Sequence, residues 1–124
     1  MNETASTISL HEQVYLALED LKGVDICVLD VRSLTTITDY MVIVSGTSDR
    51  HVRALANSVM DTVCKFGIHP IGVEGEGEGE WILVDLQDVI VHVMQKTTRE
   101  FYQLERLWDV KQIPDDPAAS AGHH

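Results

Sequence analysis

The stretch "WILVDLQDVIVHVM", residues 81 to 94, constrains this chain more than any other. Its two runs, "WILVDL" and "DVIVHVM", are rich in β-branched residues and are joined through Leu86, Gln87 and Asp88, so an antiparallel hairpin is the natural geometry. Side chains alternate along a strand, which places Ile82 and Val84 on one face and Trp81, Leu83 and Asp85 on the other. Trp81 therefore shares its side with a carboxylate, and that side is expected to be partly wet until a partner covers it. His92 shares a face with Ile90 and Met94, at the edge of an apolar contact patch.

The elements around this hairpin follow from spacing. Leu10, Val14, Ala17, Leu18 and Leu21 stripe a helix, with Gly23 expected to supply a left-handed C-terminal cap. "DICVLDV" (25–31) and "YMVIVSG" (40–46) read as strands covered on both faces, with a turn over "RSLTTITD". Thr47 or Ser48 caps a helix carrying Val52, Leu55, Ala56, Val59, Val63 and Phe66, which Gly67 ends. "IHPIGV" (68–73) is expected to be a strand, and Pro70, lacking an N–H, argues for a sheet edge or a strand beginning. Thr97 with Glu100 predicts a capping box opening a last helix whose apolar side is Phe101, Leu104, Leu107 and Trp108.

With 124 residues, 44% of them hydrophobic, the chain can enclose one core. A single domain over residues 1–109 is expected, followed by a disordered tail over residues 110–124, which has two prolines, small residues and no periodicity. His123 and His124 are set aside from site reasoning. No apolar run approaches the roughly 20 residues of a membrane helix, and the N-terminus lacks the pattern of a signal peptide, so the expected compartment is the cytosol. Cys27 and Cys64 lie in apolar patterns without zinc-ligand spacing and are expected to be reduced, buried thiols.

Twenty Asp and Glu against nine Lys and Arg give a formal net charge of -11, the wrong sign for a chain that binds by neutralising phosphates. Between Lys65 and Lys96 there is no Lys or Arg, while Glu74, Glu76, Glu78, Glu80, Asp85 and Asp88 all fall there. Charge so arranged steers a cationic partner toward itself.

Three chemistries compete with simple binding. "EGEGEGEW" (74–81) offers carboxylates to a metal, but Gly alternation makes a flexible chain whose ordering costs about 1 to 2 kcal/mol per residue. The spacing is also not that of a calcium loop. A solvated acidic loop delivering Trp81 is the plainer reading. "SGTSDRH" (45–51) sets hydroxyls at a helix N-terminus, an anion site in principle and a plain helix cap otherwise. Combined with Asp85 and Asp88 it would imitate a metal-dependent nucleotidyltransferase built on Thr47, Ser48 and the two acids. Such acids usually stand two residues apart on one face, whereas these are three apart and no basic cluster accompanies them. His51 and His92 stand alone, without a nucleophile signature, and read as surface or hydrogen-bonded histidines.

Taken together, "DVRSLTTITDYMVIVSGTSDRHVRALA", "GVEG", "WILVDLQDVIVHVM" and "REFYQLERLW" resemble the ribosomal silencing factor, or Iojap-like, family from about Leu10 to Trp108. The chief departure is the Gly/Glu expansion after "GVEG", a variable loop in that family. The resemblance implies an α/β fold with a mixed β-sheet of about five strands packed with helices, nucleotidyltransferase-like in architecture without the catalytic groups. It also implies a non-enzymatic translation repressor, with no cofactor or metal, that binds the large ribosomal subunit at ribosomal protein L-fourteen. There it would block joining of the small subunit when nutrients are short. Docking is carried onto Trp81, Asp85, Leu86, Asp88, Val89 and His92, with Tyr102, Glu105 and Trp108 from the last helix. A homodimer is expected when the protein is free, with no membrane contact and no nucleic-acid recognition beyond incidental ribosomal RNA. The alternatives are the nucleotidyltransferase-like enzyme and a homodimeric acidic-face scaffold for another basic partner.

Overall fold

A computed structural model describes residues 8–108. The first helix, α1, spans Leu10–Asp20 and opens on a capping box. The Ser9 hydroxyl accepts the Glu12 N–H at 3.3 Å, and the Glu12 carboxylate accepts the Ser9 N–H at 3.1 Å. The helix does not close as expected: Lys22, not Gly23, takes the left-handed conformation, with φ 62. Gly23 is needed for space instead, because a Cβ there would lie 2.7 Å from a Val44 methyl. Its N–H still reaches back to the Leu18 carbonyl at 2.8 Å.

Five strands form one mixed sheet: β1 (Val24–Asp30), β2 (Tyr40–Gly46), β3 (Gly72–Glu74), β4 (Trp81–Asp85) and β5 (Val89–Gln95), in the order β1-β2-β5-β4-β3. β2 and β5 run parallel at the centre, and the other neighbours are antiparallel, including the expected β4–β5 hairpin. β2 is buried along almost all its length, as a central strand should be. β1, at an edge, is covered mainly at Leu29, so its expected burial on both faces holds only for β2. β3 is an edge strand, as Pro70 suggested, but it begins at Gly72 and is shorter than the run 68–73.

The second helix, α2, covers Asp49–Cys64, with Ser48 as its cap and Asp49 favourably placed in its first turn. His51 fastens its start to the end of α1. Its Nδ1 accepts the Thr47 N–H at 2.9 Å, which leaves Nε2–H to donate to the Leu21 carbonyl at 2.8 Å. Both helices pack on one face of the sheet. Val14 and Leu18 from α1, Val52, Leu55 and Val59 from α2, and Val42, Val44, Ile82, Val84, Val91 and Val93 from the strands form that core. The Leu86 and Val89 side chains belong to it as well.

The opposite face carries a smaller cluster of Leu29, Val31, Met41, Ile43 and Met94, with Trp81, Ile90 and Leu104 packed at its margin. The C-terminal elements end there. α3 spans Lys96–Tyr102 and is capped by Gln95 without a side-chain bond, so the Thr97–Glu100 capping box does not form. Gln103, left-handed with φ 48, breaks the expected continuous helix, and a 3-10 turn follows over Leu104–Trp108. The thiols also depart from expectation, since Cys64 is exposed and Cys27 only half-buried. The expected tail, residues 110–124, lies outside the described residues, as does residue 109.

Candidate functional site

The face of the hairpin turned away from α1 and α2 carries the candidate site. Trp81 sits opposite Met94, Leu83 opposite His92 and Asp85 opposite Ile90, so these six side chains share one surface. The burial of β4 alternates as its sequence requires: Ile82 and Val84 are sealed in the core, while Trp81, Leu83 and Asp85 are half-buried. Trp81 donates its indole N–H to Nδ1 of His92 at 3.0 Å. Because the indole only donates, Nδ1 must be the accepting nitrogen, and the ring is neutral with its proton on Nε2. Burial pushes the His92 pKa down to about 4. His92 is thus a buried support for Trp81 and offers a partner little surface of its own.

Tyr102 packs against Trp81 with ring centroids 4.9 Å apart, and Phe101 meets Tyr102 edge-on at 4.9 Å. Phe101 is 78% exposed and Tyr102 52%, far more than aromatic side chains in a core. Arg99, from the inner side of the same short helix, holds the arrangement. It forms a forked pair with Glu105, donates to the Ser45 hydroxyl at 3.0 Å and reaches the Val24 carbonyl at 3.4 Å. Glu105, expected to face a partner, therefore spends its carboxylate inside the chain. The Trp108 side chain lies outside the described residues.

The Gly/Glu segment is not the loose approach its composition suggests. Arg53 on α2 donates to the carbonyls of Glu76 at 3.0 Å and Gly77 at 2.8 Å, and Gln95 donates to that of Gly79 at 3.1 Å. Gly75, with φ 89, turns the chain where a Cβ would fall 2.0 Å from the Trp81 carbonyl oxygen. Gly79, with φ 71, lies against Asp49 and Arg53 in the same way. Glu74, Glu76, Glu78 and Glu80 are all exposed. Backbone anchors thus hold a row of free carboxylates beside Trp81.

The remaining expected residues separate. Leu86 and Val89 are 3% and 2% exposed in the helix-side core, so neither side chain is available to a partner. Asp85 accepts the Gln87 N–H at 2.8 Å, forming the turn of the hairpin. Asp88 is exposed, and its carbonyl accepts the N–H groups of Asp39 and Tyr40. These two acids lie at the end of the sheet where β2 begins, whereas Thr47 and Ser48 follow the end of β2. The parallel register, Tyr40 with Val89 and Gly46 with Gln95, sets the two groups apart by the length of a strand. Seven residues of strand span about 20 Å, so the four side chains proposed for the enzyme alternative do not share a site. Among the described residues no three His, Cys, Asp or Glu side chains gather in a way that would hold a metal ion.

Sequence reasoning missed Arg53 and Arg99. Neither lies near its partners in the chain: Arg53 reaches across 23 residues to Glu76, and Arg99 across 54 to Ser45. No local spacing signals either contact.

Fold and site define a class: a mixed five-stranded α/β protein with two helices on one sheet face, an aromatic cluster on the other, and an acidic loop leading into β4 that is tied to the second helix. The profile of the family described as "Ribosomal silencing factor during starvation" matches residues 4–123, and the chain belongs to that family. Among its relatives is a Chromobacterium violaceum protein named ribosomal silencing factor RsfS, 48% identical over 92 residues, covering 74% of this chain and 75% of that one. The Haemophilus influenzae protein of the same name is 46% identical over 101 residues, covering 82% and 99%. A mouse protein named mitochondrial assembly of ribosomal large subunit protein 1 is 36% identical over 101 residues, covering 78% of this chain and 44% of its own. A crystal structure of a Chromobacterium violaceum protein superposes with a TM-score of 0.79 at 44% identity, covering 81% of this chain and 83% of that one. Membership places the chain among ribosome-associated regulators of translation. No described helix is long and apolar enough to cross a membrane.

Proposed function

We propose that this protein silences translation by docking on the large ribosomal subunit at ribosomal protein L-fourteen and obstructing the small subunit, without catalysis or cofactor. The observation that carries the reading is the aromatic cluster in which half-buried Trp81 packs against the exposed Tyr102, itself in contact with the exposed Phe101, at the start of the strand that follows the glutamates of residues 74–80. Aromatic side chains held rigid at low entropic cost are the usual anchors of protein interfaces, and an acidic border draws a basic ribosomal protein. The family and the name of the mouse relative favour the large subunit as the binding platform. Docking residues on this reading are Trp81 and Tyr102, with Asp85 on the same strand face and Asp88 at the hairpin turn. The side chains of His92 and Glu105 act from behind them, and the expected cytosolic location and free homodimer belong to the same proposal.

Two measurements test it together. Purified protein is sedimented with isolated large subunits that contain or lack L-fourteen, and subunit joining is followed by light scattering. Cosedimentation that requires L-fourteen, with joining suppressed in proportion to occupancy, is the expected outcome. Binding that survives removal of L-fourteen, or binding without any effect on joining, sinks the mechanism. A melting-temperature rise with magnesium and a nucleoside triphosphate, removed by Asp85→Asn, would favour the enzyme alternative instead.

A further inference from the structure

The Arg99 side chain is only 11% exposed, and the hydrogen bonds of its guanidinium go to neither the acidic loop nor the aromatic cluster. It binds three separate parts of the chain: the start of β1 through the Val24 carbonyl, the end of β2 through the buried Ser45 hydroxyl, and the 3-10 turn through Glu105. Between Arg99 and Glu105 lies Gln103 in the left-handed conformation, which is unfavourable for a residue that carries a side chain. Such a turn persists only where its surroundings hold it. On one side of the turn Tyr102 packs against Trp81, and on the other Leu104 packs on the sheet cluster that also contains Trp81. α3 has only seven residues, no side-chain cap and no buried side chain, so little else secures it.

We infer that Arg99, through Glu105, is a positioning residue that latches the C-terminal segment and so presets Trp81 and Tyr102 for docking, without itself meeting the partner. The latch lowers the ordering cost at binding, which a loose α3 would have to meet each time. Opening it frees Leu104 and Tyr102 and leaves Trp81 packed on one side only. The main sheet, with its helix-side core, is untouched.

The inference rests on the proposed docking role of the aromatic stack, and its test keeps the two apart. Full-length Glu105→Gln, Arg99→Gln and Trp81→Ala are each compared with the parent for urea stability, affinity for purified large subunits, and hydrogen exchange of the Trp81 indole N–H by NMR. In Glu105→Gln the expected results are an unfolding midpoint close to the parent, indole exchange about tenfold faster through local opening, and subunit affinity about fivefold weaker. Arg99→Gln should exceed it on both counts. Parent-like affinity in Glu105→Gln, or indole exchange that only tracks global stability, overturns the latch. Should Arg99→Gln fail to fold because Ser45 loses its partner, Glu105→Gln decides alone; if that variant also fails to fold, the pair is core structure and the inference is wrong. Loss of binding in Trp81→Ala with normal binding in the latch variants rejects the latch and leaves the docking role standing. Normal binding in Trp81→Ala rejects the docking role itself.

Discussion

The indole N–H of Trp81 and Nδ1 of His92 are 3.0 Å apart, across two strands whose side chains face the same way. One hydrogen bond thus couples a half-buried aromatic to a buried neutral imidazole. Trp81→Ala is expected to weaken large-subunit binding by at least about 2 kcal/mol, the scale of an interface hot spot. In the free protein it should cost less than the roughly 3 to 5 kcal/mol of a fully buried aromatic. Trp81→Phe separates ring from donor: it leaves the His92 acceptor unpaired, a loss of about 1 to 3 kcal/mol by urea unfolding. Ribosome pelleting and urea titration on the same preparations check both.

The pH dependence follows from His92. Its folded pKa, about 4, lies below the ordinary value of 6.5, so the unfolded chain takes up this proton first as pH falls. The stability that neutral His92 confers is complete above pH 6.5 and is lost as pH drops toward 4, at a limiting slope of about 1.4 kcal/mol per pH unit. Urea midpoints measured from pH 7.5 to 4 should show that slope in the parent and a shallower one in His92→Gln. Identical slopes in the two proteins would exclude His92 as its source.

The acidic loop should matter for encounter more than for folding. Glu76 and Glu78 are exposed, while the contacts that hold the loop are made to its carbonyls by Arg53 and Gln95. Glu76→Gln with Glu78→Gln is therefore expected to change stability by less than about 0.5 kcal/mol. Association with large subunits should slow, most visibly at low salt, since screening over about 8 Å at physiological ionic strength already mutes such charges. Arg53→Ala should do the reverse to the loop, leaving its charge and speeding amide exchange over residues 75–80. Stopped-flow association and hydrogen exchange distinguish the two effects.

Neighbouring residues on β4 should respond oppositely. Ile82 is 1% exposed in the helix-side core, so Ile82→Ala is expected to cost about 2 to 5 kcal/mol in stability, with affinity per folded molecule unchanged. Leu83, half-buried on the other face, should lose less stability on truncation and more affinity. A large stability loss at Leu83 with none at Ile82 would mean that the strand's register is reversed.

Hairpin, alternation and helices were legible in the sequence because each depends on residues close together in the chain. "WILVDLQDVIVHVM" determined which of its side chains share a face, and the apolar spacing from Val52 to Val63 determined α2 and its buried stripe. Tertiary structure decided which face the helices cover. That choice buried Leu86 and Val89, two side chains that sequence alone offered to a partner. It also decided the state of the Gly/Glu run, whose flexible composition is overridden by Arg53 from another element. The same holds for the break at Gln103 and the inward turn of Glu105: the Thr97–Glu100 pattern favoured one continuous helix, but Arg99 finds its partners on β1 and β2. Local spacing records short-range preference, whereas contacts across 50 or more residues depend on strand order, and strand order is a property of the packed chain.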